Sequence, residues 1–254
     1  MPRPWLRLLD PRLASMKSAD RLGRAKALNG RGLHHEAAEV LDELLKIDRA
    51  DGEAWFERVL ALGDHFSDEE AQELAVQLET LRDERPADAL LMRNLGYLRI
   101  LMDDIDGAER ALKQSMKLEN SDPRTFELMG LLCLHEDQPK EAKAWMLKAL
   151  SLQPKDPRTL RMLGLALAQM DDHAGAEAQL VAALQVDPDY YWGWHTLGEL
   201  LLRRGELQDG LRCIHRSRSL NVVDPASYFI VAEITTNLAA ASCRNSLCNQ
   251  FDHR

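Results

Sequence analysis

The sequence predicts an all-α solenoid of about six helix–turn–helix units, and two observations lead to this prediction. The segment "SDPRTFELMGLL" at residues 121–132 returns 34 residues later as "KDPRTLRMLGLA" at 155–166. The same interval separates Gly96, Gly130, Gly164 and Gly198. A fixed period of this length is typical of chains that stack one supersecondary unit on the next and bury a continuous core between them.

Composition supports a folded, helical protein and narrows its class. The chain is 45% hydrophobic and 29% charged, and no run of alternating Val, Ile and Thr indicates a sheet. The net charge is −9, but residues 1–30 carry seven Lys and Arg against two Asp, so residues 31–254 carry −14. An acidic body argues against nucleic-acid binding, which depends on Lys and Arg contacts to phosphates.

The chain also lacks the marks of a membrane or secreted protein. No apolar stretch approaches the roughly 20 residues that cross a bilayer. In "MPRPWLRLLDPRLASMK", arginines and prolines break up the apolar region that a secretory signal needs. We therefore expect a cytoplasmic location, no transmembrane segment and four reduced cysteines.

Each unit is predicted to begin with a capped helix. Asp122 and Asp156 stand where an N-cap accepts backbone N–H groups, and the proline that follows suits the first helical position. A glycine inside a helix costs about 1 kcal/mol relative to alanine, so four glycines in register need a structural reason. We expect each to let the two helices of its unit touch, against a small residue twelve positions later: Ala108, Ala142, Ala176 and Gly210.

Polar turns then join the first helix of a unit to the second, as in "MDDIDGAE" at 102–109 and "MDDHAGAE" at 170–177. The second helices are predicted to end near Pro86, Pro154 and Pro188. Asp103, Asp104 and Asp106 are too few for a calcium site and are expected to cap helices. Cys243, Cys248 and His253 lack a fourth zinc ligand, so we predict no metal site, and no motif for a cofactor or for catalysis is present.

These features resemble the tetratricopeptide repeat family, whose pattern is W-x2-L-G-x2-Y, then A-x3-F, then P. One unit carries the pattern at Trp194, Leu197, Gly198 and Leu201, and another at Phe126, Met129, Gly130, Cys133, Ala142, Met146 and Pro154. The resemblance covers almost the whole chain and implies a right-handed superhelix with a concave face lined by the first helix of each unit. The predicted units are residues 18–51, 52–88, 89–122, 123–156, 157–190 and 191–224.

The ends of the chain are predicted to cover the repeats. Residues 1–17 have apolar side chains at helical spacing among arginines, and we favour a cap on the first unit over contact with an anionic membrane surface. Residues 225–241 are predicted to form a C-terminal capping helix, followed by a polar tail at 242–254. This helix is unusually apolar, so the tail or a second copy of the chain would have to cover it.

The family resemblance implies which side chains face the groove, because the second, fifth and ninth residues of a unit tend to point into it. The resulting partner-binding candidates are Arg93, Tyr97, Arg124, Glu127, Leu131, Arg158, Arg161, Leu165, Trp192 and His195. We expect the middle of this groove to be basic and apolar. The Lys and Asn of the carboxylate clamp that binds chaperone C-termini are not matched, since Phe56 and Leu60 stand in two of the required places.

Two interpretations remain open for the arginines of the DPRT segments. Arg124 and Arg158 lie in the first turn of a helix, where the helix dipole disfavours a cation. They either pair with Asp122, Asp156 or Glu127 on the solenoid, or bind carboxylates of a partner.

Aromatic residues cluster near the last unit, where two roles are distinguished. Tyr190 and Trp192 are candidate exposed anchors for a partner, whereas Trp194 is expected in the core.

The predicted function is a non-catalytic adaptor or chaperone-like module. It would bind an acidic or amphipathic segment of a partner protein, extended or helical, in the concave groove. The alternative is a self-assembling homo-oligomeric scaffold that uses residues 225–241, and an accessory domain of an enzyme ranks third. The repeats leave 17 residues before the first unit and 30 after the sixth, too few for a catalytic domain.

Overall fold

The computed structural model describes residues 18–62 and 67–220, and these form twelve α-helices with no strand. The helices are α1 (Ser18–Gly30), α2 (His34–Ile47), α3 (Gly52–Leu60), α4 (Asp68–Glu84), α5 (Ala89–Leu101), α6 (Ile105–Leu118), α7 (Pro123–His135), α8 (Pro139–Leu152), α9 (Pro157–Gln169), α10 (His173–Val186), α11 (Tyr191–Arg203) and α12 (Leu207–Leu220). Each predicted unit contains one consecutive pair, so the chain is an all-α solenoid. The N-terminal segment, the capping helix at 225–241 and the tail lie outside the described residues.

The Asp-Pro starts form the predicted caps. The Asp122 carboxylate accepts a hydrogen bond from the backbone N–H of Arg124 at 3.1 Å, and Asp156 accepts one from Thr159 at 2.8 Å. The threonines also cap, because the Thr125 and Thr159 hydroxyls donate to the same two carboxylates at 2.7 and 2.8 Å. Both threonines are buried, so the threonine of the DPRT segment is fixed by the helix start.

The repeated glycines lie where paired helices touch. A Cβ atom added at Gly198 would lie 2.7 Å from Cδ1 of Ile214 and 3.1 Å from the carbonyl oxygen of Gly210. At Gly164 the same atom would lie 3.0 Å from Leu180 and 3.2 Å from the carbonyl oxygen of Ala176. Gly96 and Gly130 meet the corresponding residues of their own units. The predicted contact twelve positions later is therefore confirmed, and a large apolar residue sixteen positions later completes it.

The second pair departs from this pattern. Val59 in α3 occupies the place of the helical glycine, counted from the start of its unit, and is fully buried. The helices α3 and α4 make few close backbone contacts with each other, and α4 packs instead against α5 of the next unit. A branched side chain stands here where the third to sixth units have glycine, and it leaves no room for the close helix contact seen in those units.

The turns inside the units share one backbone feature. Asp103, Asp137, Asp171 and Gly205 are each 34 residues apart and adopt positive φ angles of 60°, 56°, 61° and 83°. This left-handed position ends the first helix of a pair, and a non-glycine residue occupies it in three units. The next residue caps the second helix in two units, where Asp104 and Asp172 accept the N–H groups of Gly107 and Gly175, each at 2.9 Å. Of the three acids at 103, 104 and 106, capping is thus confirmed for Asp104.

The second helices of three units end where the sequence predicted. α4, α8 and α10 end two residues before Pro86, Pro154 and Pro188. Cys133 and Cys213 are buried free thiols. No helix within residues 18–62 and 67–220 has the length and apolar character needed to cross a membrane.

Candidate functional site

The concave side of the solenoid holds a cavity of about 370 Å³. Residues from all six units line it, from Lys26 in α1 to Trp192 in α11. Its apolar walls come from α3, α5, α7 and α9 and consist of Leu60, Leu101, Leu128, Leu131 and Met162. A space of this size lies within the range of small-ligand pockets and takes a few side chains of a partner.

The structure brings most of the predicted groove residues together around this cavity. Seven of the ten line it: Tyr97, Arg124, Glu127, Leu131, Arg158, Arg161 and Trp192. Arg93 does not, because its side chain is 1% exposed and enclosed between neighbouring units. Leu165 packs into the core of the fifth and sixth units, and His195 is buried beside Trp192, so neither lines the cavity.

The Phe56 ring lies at the centre of the arginines. The guanidinium carbons of Arg93, Arg124 and Arg158 lie 4.8, 5.2 and 5.0 Å from its centroid, and Tyr97 stacks against it at 5.5 Å. The three arginines belong to the third, fourth and fifth units. A single buried ring of the second unit therefore contacts three consecutive units through cation–π interactions.

Carboxylates neutralise most of this positive charge, so the expectation of a basic groove was wrong. Arg93 donates to Glu53 at 2.9 Å and to Asp122 at 3.3 Å. Arg124 donates to Glu127 at 3.3 Å and lies 3.8 Å from Asp156. Four cationic side chains (Lys26, Arg124, Arg158 and Arg161) and four carboxylates (Glu57, Glu127, Asp156 and Asp187) line the cavity. Glu127 was among the predicted groove residues, whereas Glu57, Asp156 and Asp187 were not, because they stand in the second unit or at unit ends.

Glu127 joins two of the arginines inside the solenoid. Its buried carboxylate lies 3.3 Å from Arg124 and 3.5 Å from Nε of Arg158, and it accepts a hydrogen bond from the Thr159 hydroxyl at 3.4 Å. Burial alone would lower the pKa of Arg158, but the Glu127 charge and further oxygens nearby outweigh it, so the pKa lies above its ordinary value. Arg158 is therefore a permanently charged group at the wall of the cavity.

A second arginine environment lies at the C-terminal wall. Arg161 donates from Nε to the Tyr190 hydroxyl at 3.1 Å, and its guanidinium carbon lies 5.7 Å from the Trp192 ring centroid. Tyr190 is only 8% exposed, so the expectation of an exposed anchor was wrong for this residue, since its ring is packed and its hydroxyl holds Arg161. Trp194 packs against the core, partly buried, and donates from Nε1 to the carbonyl of Pro188 at 2.8 Å.

At the N-terminal wall, a polar chain links the first two units. The Asn29 amide donates to the side chain of Glu57 at 2.9 Å, and its oxygen lies 3.4 Å from Nδ1 of His34. Burial lowers the pKa of His34 below its usual value of 6.5, while the Glu36 charge acts in the opposite direction. The neutral imidazole is thus the favoured form in the fold.

Sequence reasoning missed several cavity residues although a signal for them was present. The rule of second, fifth and ninth positions, applied to the first two units, gives six residues: Ala19, Leu22, Lys26, Glu53, Phe56 and Leu60. The last four take part in the cavity or in the cluster around Phe56. Asp156 and Asp187, which stand at or near the ends of units, had no such signal.

Within 18–62 and 67–220, no group of three His, Cys, Asp or Glu side chains is arranged to hold a metal ion. Asp104 of the acidic turn is engaged in capping, and the cysteines and histidine of the tail lie outside the described residues.

Comparison with known protein families gives a match for one unit of the chain. A tetratricopeptide repeat model matches residues 123–156, which are the fourth predicted unit. No curated protein sequence matches the chain significantly.

Among solved structures, three similar ones cover most of the chain. A chain of the APC/C hetero-tetramer Cut9–Hcn1 superposes with a TM-score of 0.62 at 16% identity, over 85% of this chain but 42% of that one. The type IV pilus biogenesis factor PilW gives 0.61 at 18% identity, over 76% of this chain and 90% of PilW. TTC0263, a thermophilic TPR protein of Thermus thermophilus, superposes with a TM-score of 0.59 at 17% identity, over 73% of this chain and 100% of TTC0263.

At these identities the likeness is one of fold. It agrees with the 34-residue period, the paired helices and the glycine contacts seen in this chain. Together with the family match to the fourth unit, these observations show that the chain has the tetratricopeptide repeat fold and carries a tetratricopeptide repeat at residues 123–156.

Proposed function

We propose that this protein is a non-catalytic adaptor that binds a short segment of a partner protein in its concave cavity. The observation that supports this most directly is the cavity itself, which all six units line with apolar and charged side chains. Tetratricopeptide folds generally serve protein–protein interaction and generally lack catalytic activity. The role as an adaptor or chaperone-like module, and its place in the cytoplasm, belong to this proposal.

The packing around Phe56 limits what the concave side accepts. Phe56 is 1% exposed, and its contact with Arg158 joins the second and fifth units across the concave face. Side chains of the protein therefore fill part of the space that an extended peptide would follow along the groove. The remaining volume suits a short anchor of two or three side chains, with the rest of the partner on the rim.

Site-specific photocrosslinking in a lysate of the source cells tests this proposal. One variant carries a photoreactive amino acid at Leu131, a partly buried residue of the cavity wall. A matched variant carries it at Val181, which is 37% exposed on α10 and does not line the cavity. We expect protein adducts at position 131 that are absent at 181. Adducts at 181 alone, or none at 131, would overturn the proposal.

A further inference from the structure

The four arginines of the concave face differ in how many of their donors the fold already uses. Arg93 donates from three nitrogens, to Asn94, Asp122 and Glu53. Arg124 directs both terminal nitrogens at carboxylates, those of Glu127 and Asp156. These two side chains have little capacity left for a ligand, and they serve the solenoid.

Arg158 and Arg161 are different. Within the described residues, Arg158 makes one ion pair, from Nε to Glu127 at 3.5 Å, and its terminal nitrogens form no hydrogen bond. Arg161 forms no ion pair within those residues, and its bonds go to the neutral Tyr190 hydroxyl and, at 3.5 Å, to the sulfur of Met162. The two arginines stand three residues apart on α9, which places them side by side on one helix face, and both line the cavity.

Building on the proposed function, we propose that Arg158 and Arg161 together bind a single carboxylate of the partner segment. A guanidinium pair with free terminal N–H groups matches the geometry of a carboxylate, and each such charge-assisted bond is stronger inside a partly enclosed cavity. The Phe56 ring beneath Arg158 and the Trp192 ring beside Arg161 hold the two planar groups in place.

The carboxylates that line the cavity limit the partner segment to one acidic side chain at this site. Glu57, Glu127, Asp156 and Asp187 line the same cavity, so a second acidic side chain of the partner would meet several negative charges. The cavity is also lined by leucine and methionine side chains, which favour apolar neighbours of the bound acid. The preferred partner segment thus carries one Asp or Glu between apolar residues, and an acidic tract is disfavoured.

The test is a selection of random nine-residue peptides displayed on phage, carried out on the full-length wild-type protein. The expected enriched peptides carry one acidic residue flanked by apolar residues. The best peptide is then synthesised with its acid and with the matching amide, and both are titrated against wild type, Arg161→Gln and Arg158→Lys. The control is Arg212→Gln, which removes the same charge from an exposed site on α12. Circular dichroism and thermal unfolding confirm that each variant folds.

We expect Arg161→Gln to weaken binding of the acidic peptide by about tenfold, as the loss of a charge-assisted hydrogen bond implies, and to leave binding of the amide peptide unchanged. Arg158→Lys keeps the charge and is expected to weaken binding of the acidic peptide less than Arg161→Gln does. The control variant Arg212→Gln is expected to bind both peptides as the wild type does. Enriched peptides without an acid, or an equal loss for both peptides, would overturn the carboxylate receptor and leave the proposed function standing. If the wild-type protein enriches no peptide above the level obtained with a Leu131→Arg protein, that result would count against both the carboxylate receptor and the proposed function.

Discussion

The guanidinium of Arg158 in α9 lies 5.0 Å from the ring centroid of Phe56 in α3, so side chains three units apart touch across the concave face. Arg93 and Arg124 contact the same ring from the units between. The curvature of this solenoid is therefore held by contacts across the concave side as well as by stacking of neighbouring units.

Replacing Phe56 tests this cross-connection. Phe56→Ala is expected to lower the free energy of unfolding by about 3–5 kcal/mol, because it removes a buried ring and leaves a cavity. Phe56→Leu keeps most of the apolar volume but loses the cation–π contacts, so we expect a loss of about 1–2 kcal/mol and a larger radius of gyration by small-angle X-ray scattering. Phe126→Leu is the control, since Phe126 stacks on Trp145 inside its own unit. An unchanged radius in both Phe56 variants would show that the ring does not set the curvature.

The buried carboxylate of Glu127 gives a second test. Glu127→Gln removes the charge that faces Arg124 and Arg158, and we expect it to lower the free energy of unfolding by about 3 kcal/mol, measured by urea denaturation. The exposed pair of Arg212 and Asp209 provides the comparison, and Asp209→Asn is expected to change stability by less than about 0.5 kcal/mol. Similar losses in the two variants would mean that Glu127 is not isolated from solvent.

The helical glycines are predicted to have opposite effects depending on their position. Gly198→Ala places a Cβ atom against Ile214 and a backbone carbonyl and is expected to destabilise by about 1–3 kcal/mol. Gly23→Ala in α1 meets nothing within 4 Å and is expected to stabilise by about 0.5–1 kcal/mol, because alanine is the better helix former. Thermal unfolding of both variants measures whether each substitution raises or lowers the stability. A higher stability of Gly198→Ala would contradict the helix-contact explanation.

His34 predicts part of the pH dependence of stability. Its pKa in the fold lies below the unfolded value of 6.5, chiefly because of burial, so the unfolded chain binds the proton more readily. The stability that the neutral imidazole contributes is present above about pH 6.5 and is lost as the pH falls from there through the folded pKa. His34→Gln is therefore expected to flatten the slope of stability against pH in this window, as measured by urea denaturation between about pH 5 and 8. His35→Gln, at an exposed neighbouring site, is the control, and an equal change in both would remove burial as the cause.

The local architecture was predictable because it depends on residues close in sequence. The Asp122 and Asp156 caps, the glycine contacts and the turn at Asp104 all act within one unit, and the 34-residue period repeats them. The acids that pair with Arg124 and Arg158 were among the candidates in the sequence, whereas the shared contact of these arginines with Phe56 was not predictable. Whether Arg158 meets Phe56 depends on the superhelical curvature summed over three units, which no single repeat contains.

The aromatic cluster near the last unit was also predicted only in part. Tyr190 and Trp192 are two residues apart and both line the cavity, yet Tyr190 is buried with its hydroxyl on Arg161, whereas Trp192 is only partly buried. The sequence identified the cluster, whereas the difference between the two residues follows from where the start of α11 lies against α9.

The separation of α3 from α4 around Val59 has a consequence for how the chain folds. Because α4 packs on α5 rather than on its own partner, the cooperative block at this point joins the end of one sequence repeat to the beginning of the next. Since α3 packs on α5 as well as on α2, amide hydrogens of α3 and α4 should exchange together with those of α5. The second repeat should thus open only together with the third, and the boundary between these two repeats should not divide the chain into folding units.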